Sequence, residues 1–129
     1  MADFLVSPSR PTQWRIEAEA FEQRMRAARL RAQIWRSESR DSLAVLRFNV
    51  AFTDEHQLDG WLMRDGQVVE MNGGLEESAV IAAWMRTIVP DDQELIFWDE
   101  GYHFEVPLVP GMNHHQIVDA AYRVGDLDA

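Results

Sequence analysis

The 129-residue chain has no cysteine, and its twelve basic residues include no lysine. The first absence excludes disulfides, thiolate nucleophiles and Cys-ligated zinc or iron–sulfur sites. The second excludes lysine catalysis and a Walker-type phosphate loop, which needs its Lys, so Gly73-Gly74 ahead of a helix is only a fragment of a phosphate cradle. Seven Gly and five Pro are too few for a collagen-like or low-complexity chain. No apolar run approaches the roughly 20 residues that span a bilayer, and the amino end lacks the basic and apolar regions of a signal peptide, so a soluble, cytoplasmic protein is expected. No Gly-x-Ser-x-Gly surrounds any serine.

What the chain does carry is acid, with 22 Asp and Glu for a net charge of -10. The charge is divided unevenly: residues 1–47 hold nine Arg and six acids, a balance of +3, whereas residues 48–129 hold three Arg and sixteen acids, a balance of -13. A field of that sign repels phosphate backbones and anionic lipid, so no nucleic-acid or membrane partner is expected and a basic protein partner is favoured. Acidity also serves solubility alone, and that reading stays beside the other. The exclusive use of arginine is read as codon composition and carries no mechanism.

Periodicity predicts the elements. A short strand before Pro8 and Pro11 precedes a helix over 12–32, where Trp14, Ala18, Phe21, Met25 and Ala28 form one apolar stripe. Residues 33–38 read as a strand, and Leu46, Phe48, Val50 and Phe52 alternate with Arg47, Asn49 and Ala51 as a half-buried one. A hairpin joins 61–64 to 67–71 through a type I′ turn at Asp65-Gly66. A helix over 75–89 follows. A second hairpin, 95–99 with 102–106 around Glu100-Gly101, sets Asp99 opposite Tyr102, Trp98 opposite His103, Phe97 opposite Phe104 and Ile96 opposite Glu105. Phe97 and Phe104 then face the core. Asn113 and Gln116 form a capping box for a last helix from His114 to about Arg123, with Met112 and Ile117 as its hydrophobic staple. The order β-α-β-β-β-β-α-β-β-α gives an α+β class: one two-layer domain over residues 1–129, a mostly antiparallel sheet with helices packed on one face.

Chemistry is concentrated on the second hairpin, where Trp98, Asp99, Glu100, Tyr102, His103 and Glu105 bring three carboxylates, an imidazole, a phenol and an indole into a few residues. His103 and Glu105 could serve as a general acid/base pair, the aromatic and acidic residues together as an interface hot spot for a basic partner, or the whole as a solvated turn. The four His lack the i, i+3 or i, i+4 spacing of a helical metal site, so neither metal nor cofactor is expected. His114-His115 reads as a helix start with its rings diverging.

Phe4-Leu5-Val6-Ser7-Pro8, Asp65-Gly66-Gln67-Val68-Val69, Ala83-Trp84-Met85-Arg86-Thr87-Ile88-Val89-Pro90 and Pro110-Gly111-Met112 resemble a group of short, functionally uncharacterised bacterial proteins; that resemblance implies a compact domain and no activity. In size and charge the chain also looks like toxin-immunity proteins, which occlude a partner enzyme. Two functions follow as expectations: a non-enzymatic acidic protein-binding module, immunity-like or regulatory, and alternatively a small-molecule enzyme or binder using the hairpin's His, carboxylates and Tyr in a cleft. A homodimer burying Trp98 and Ile96 against their copies is a third arrangement.

Overall fold

The computed structural model describes residues 3–125. Alternation makes the strands one-sided: Leu46, Phe48 and Val50 are fully buried while Arg47 between them is exposed. Ten elements follow the expected order: β1 (Phe4–Ser7), α1 (Ala18–Ala27), β2 (Ala32–Arg36), β3 (Ala44–Ala51), β4 (Gln57–Met63), β5 (Val69–Asn72), α2 (Leu75–Ile88), β6 (Ile96–Asp99), β7 (Glu105–Pro107) and α3 (His114–Gly125). The strands form one seven-stranded sheet in the order β2-β3-β4-β5-β1-β6-β7, antiparallel at every pairing. The N-terminal strand therefore lies inside the sheet. The helices pack on one face, giving a two-layer α+β architecture, with Phe21, Met25, Ile81, Met85 and Ile117 buried against Phe48, Leu62, Met71 and Phe97. No helix among the described residues is long and apolar enough to cross a membrane.

Three local expectations are corrected. The first helix begins at Ala18, not Thr12, because the preceding segment is held extended against the β4–β5 turn: the Ile16 N–H donates to the Gly66 carbonyl at 2.9 Å, and the Gln67 side-chain amide donates to the carbonyls of Thr12 and Trp14 at 2.8 and 2.7 Å. Trp14 still packs on the core from there, which is why the stripe looked continuous. In the first hairpin only Gly66 has a positive φ, 71°, whereas a type I′ turn needs two such residues. The Gly66 N–H closes on the Met63 carbonyl at 3.0 Å, yet Leu62 still pairs with Val69, as a two-residue turn would set it. In the second hairpin Phe97 pairs with Val106, Trp98 with Glu105 and Ile96 with Pro107, a slip of two residues. A two-residue slip returns every side chain to its expected face, so Phe97 and Phe104 are buried as expected, their rings 5.3 Å apart and tilted by 47°.

The capping box forms as expected. Asn113 Oδ1 accepts from the Gln116 N–H and Gln116 Oε1 from the Asn113 N–H, both at 2.9 Å.

Candidate functional site

The slip in the second hairpin originates with Asp99. Its Oδ1 accepts from the backbone N–H groups of His103 and Phe104 at 2.7 and 3.1 Å, and its Oδ2 lies 2.6 Å from His103 Nδ1. The carboxylate thus closes a wider loop than Glu100-Gly101 alone would make. Burial raises the Asp99 carboxyl, but the His103 imidazole and the Phe104 and His103 N–H groups outweigh it and hold the group below its ordinary range. Gly101 leaves room for this contact, since a Cβ there would meet His103 Cε1 at 2.6 Å and push the imidazole aside. Tyr102 takes the left-handed conformation instead, with φ 57°, an uncommon backbone for a large residue. The residue is 81% exposed, and its ring stacks on Trp98 at 5.4 Å and 16°.

The six hairpin residues are therefore split. Asp99 and His103 form a loop-closing pair, with Asp99 on the helix-bearing side of the strand and largely buried. Trp98, Tyr102 and Glu105 lie on the other side, and Glu100 is exposed at the turn. His103 Nδ1 is engaged by Asp99 rather than Glu105, and among the described residues no hydroxyl hydrogen-bonds the imidazole, so an oriented histidine is present without a nucleophile beside it.

The sheet's other face is covered by none of the described elements, and one transverse row crosses all its strands. Trp35 pairs with Arg47, Arg47 with Trp61, Trp61 with Glu70, Glu70 with Leu5, Leu5 with Trp98 and Trp98 with Glu105. Paired residues share a face, so Trp-Arg-Trp-Glu-Leu-Trp-Glu stands in line across the sheet. Trp98 is fixed by its indole N–H donating to Ser7 Oγ at 3.0 Å. At the β2 end the Arg47 guanidinium carbon lies 5.0 Å over the Trp35 ring, and its Nη2 lies 3.2 Å from Asp59 Oδ1. Asn49 also donates to that oxygen, at 3.1 Å. Among the described residues neither Glu70 nor Glu105 has an ion-pair partner. Sequence reasoning found Trp98 and Glu105 but missed Trp35, Arg47, Trp61 and Glu70. The available signal was an indole at outward positions of strands whose inward positions are aliphatic.

A cleft of about 570 Å³ lies elsewhere, lined by His56, Glu77, His114, His115, Asp119 and Tyr122 among others. It gathers three of the four imidazoles, and none of the hairpin residues lines it. His56 Nδ1 lies 3.4 Å from Glu77 Oε1. The rings of His114 and His115 do not diverge but lie 4.0 Å apart. Among the described residues no three His, Asp or Glu side chains are grouped to hold a metal ion. No family model, curated protein or solved structure matches the chain.

Proposed function

We propose that this is a non-enzymatic protein-binding module of the cytoplasm whose uncovered sheet face engages a basic partner. The transverse row carries the reading. Large indoles are among the side chains in which interface hot spots are enriched, and the strands direct three carboxylates, Asp59, Glu70 and Glu105, to this face against one strand base, Arg47. Arg47 is already paired with Asp59, so the excess charge is negative and complementary to a cationic surface. Trp98, Tyr102 and Glu105 of the second hairpin belong to this surface. Asp99 and His103 support it by shaping the loop that carries Tyr102, and Glu100 lies at its margin. The likeness in size and charge to toxin-immunity proteins fits the same reading, in which the module occludes a basic enzyme surface.

The test is capture from native lysate, followed by binding of the captured protein to two double variants. Glu70→Gln/Glu105→Gln should weaken binding far more than Asp91→Asn/Asp92→Asn, which removes equal charge from an exposed loop away from the row. A captured protein that is acidic, or that discriminates neither variant, would overturn the proposal.

The cleft between α2, α3 and the β3–β4 turn favours a second reading as a small-molecule binder, since its size and mixed lining suit a compact ligand. A metabolite screen by thermal shift tests it. A hit that stabilises the wild type and is lost in both His56→Ala and Tyr122→Phe would support this reading, whereas a screen without such a hit would leave it unsupported.

A further inference from the structure

Resting on the reading of the uncovered face as a basic-partner site, we infer that the face reads guanidinium groups at two stations, Trp61–Glu70 and Trp98–Glu105, and that its partner is an extended segment with two arginines four residues apart. The template lies within the row itself. Arg47 stacks on the indole of Trp35 at 5.0 Å while bonding the carboxylate of Asp59 at 3.2 Å, so this face already holds one arginine between an indole and an acid. The other two indoles each stand directly opposite a glutamate across a strand pair, where side chains about 5 Å apart leave a planar cation within reach of both. Lysine does not match this geometry: its ammonium is a compact, strongly hydrated point charge, whereas guanidinium stacks and presents a fork of donors to the carboxylate. At the second station Tyr102, stacked on Trp98 and held on a left-handed backbone, enlarges the platform.

The spacing follows from the strand order. From the β4–β5 pair to the β6–β7 pair is three strand steps, or about 14 Å at ~4.8 Å each. An extended segment crossing the strands advances about 3.3 Å per residue and returns a side chain to the same face only at even separations. Two residues reach ~7 Å, four ~13 Å and six ~20 Å, so only four fits. The residue midway lies over Leu5, which stands in the row between Glu70 and Trp98 and is 9% exposed; it meets no polar side chain of the row there, so an apolar residue fits. The sequence read by the face is Arg-x-apolar-x-Arg.

The probe is a capped peptide carrying Arg-Ser-Val-Ser-Arg in a neutral Ser/Gly background. It is compared by calorimetry with a version in which the arginines are five apart and one with both arginines replaced by lysine, at low ionic strength. The four-spaced arginine peptide should bind about tenfold or more tightly than either, and Glu70→Gln and Glu105→Gln should each weaken it about tenfold, as loss of a charge-assisted bond does. In NMR spectra the indole N–H signals of Trp61 and Trp98 should move, and those of Trp14 and Trp84 should not. Equal affinity for the three peptides, no binding by any of them, or binding indifferent to both Glu variants would overturn the inference. The capture experiment on the whole basic partner judges the underlying reading separately, because a folded cationic surface could satisfy that test while every short peptide fails this one.

Discussion

Two buried charged residues fix the ends of elements, and each gives a distinct prediction. Arg86 in α2 is 2% exposed and has no carboxylate partner among the described residues. Its Nη1 donates to the carbonyls of Gln93 and Leu108 at 3.0 and 3.2 Å and its Nη2 to those of Val89 and Pro90. Burial lowers its pKa from the ordinary arginine value, and the nearby Asp91 charge offsets part of that. One guanidinium thus satisfies four carbonyls after the helix end. Arg86→Ala should cost about 3–5 kcal/mol in denaturant melts, as removal of a buried network member does, and Arg86→Lys should recover little because an ammonium lacks the fork. Asp99 has the opposite charge and a similar task. Asp99→Ala leaves the N–H groups of His103 and Phe104 without their acceptor and should cost about 1–3 kcal/mol. Its carboxyl is held below the ordinary range in the fold, so the unfolded chain takes up this proton first, near pH 3.9. The stabilisation is complete above that pH and is lost as pH falls through the folded value. Urea midpoints of wild type and Asp99→Asn should therefore stay apart above about pH 5 and converge as pH falls below about 4. A gap that stays constant would show that the charge of Asp99 contributes nothing.

At the scale of elements, the second hairpin shows why faces are easier to read than pairings. Side-chain alternation has a period of two, so a two-residue slip leaves the hydrophobic pattern unchanged. The burial of Phe97 and Phe104 was legible, while the partner of Trp98 was not: it depends on the Asp99 carboxylate choosing the His103 and Phe104 N–H groups, a choice that no apolar pattern records. Phe97→Ala and Phe104→Ala should each lose about 3–5 kcal/mol, since each removes a ring from the stack that includes Phe4. His103→Ala, whose side chain is 65% exposed, should lose about 1 kcal/mol or less, and a loss equal to that of Phe104→Ala would place the imidazole in the core. The start of α1 was illegible for a related reason, because Trp14 is packed on the core by an extended segment at a position that also suits the helical stripe. The transverse row was the least legible feature. Hairpins reveal neighbours such as β4 and β5, but β1 lies between β5 and β6 through contacts more than sixty residues apart in sequence, and only that placement brings Trp61, Glu70, Leu5 and Trp98 into line.

At the scale of the whole molecule, the -13 carried by residues 48–129 is shared by both layers, with Glu76, Glu77 and Asp119 on α2 and α3 and Glu70 and Glu105 on the sheet. Arg24 and Arg26 of α1 and Arg123 of α3 lie in the helix layer beside its acids, whereas Glu70 and Glu105 lie on the sheet's uncovered face without an ion-pair partner among the described residues. A cationic partner should therefore be drawn to that face before contact, with an association rate that falls steeply as added salt shortens the Debye length from about 10 Å at 0.1 M toward about 3 Å at 1 M. The dissociation rate should change less, because the stacking contacts of Trp61, Trp98 and Tyr102 act at distances that salt does not screen. The two kinds of variant then separate in the kinetics. Glu70→Gln/Glu105→Gln should lower the association rate and flatten its salt dependence, while Trp98→Ala should leave association nearly unchanged and raise the dissociation rate by about tenfold or more, as loss of an aromatic anchor does. Stopped-flow binding of the captured partner across a salt series measures both. If the glutamate variants keep the wild-type salt slope, the attraction arises elsewhere on the acidic surface and the uncovered sheet face is not where the partner arrives.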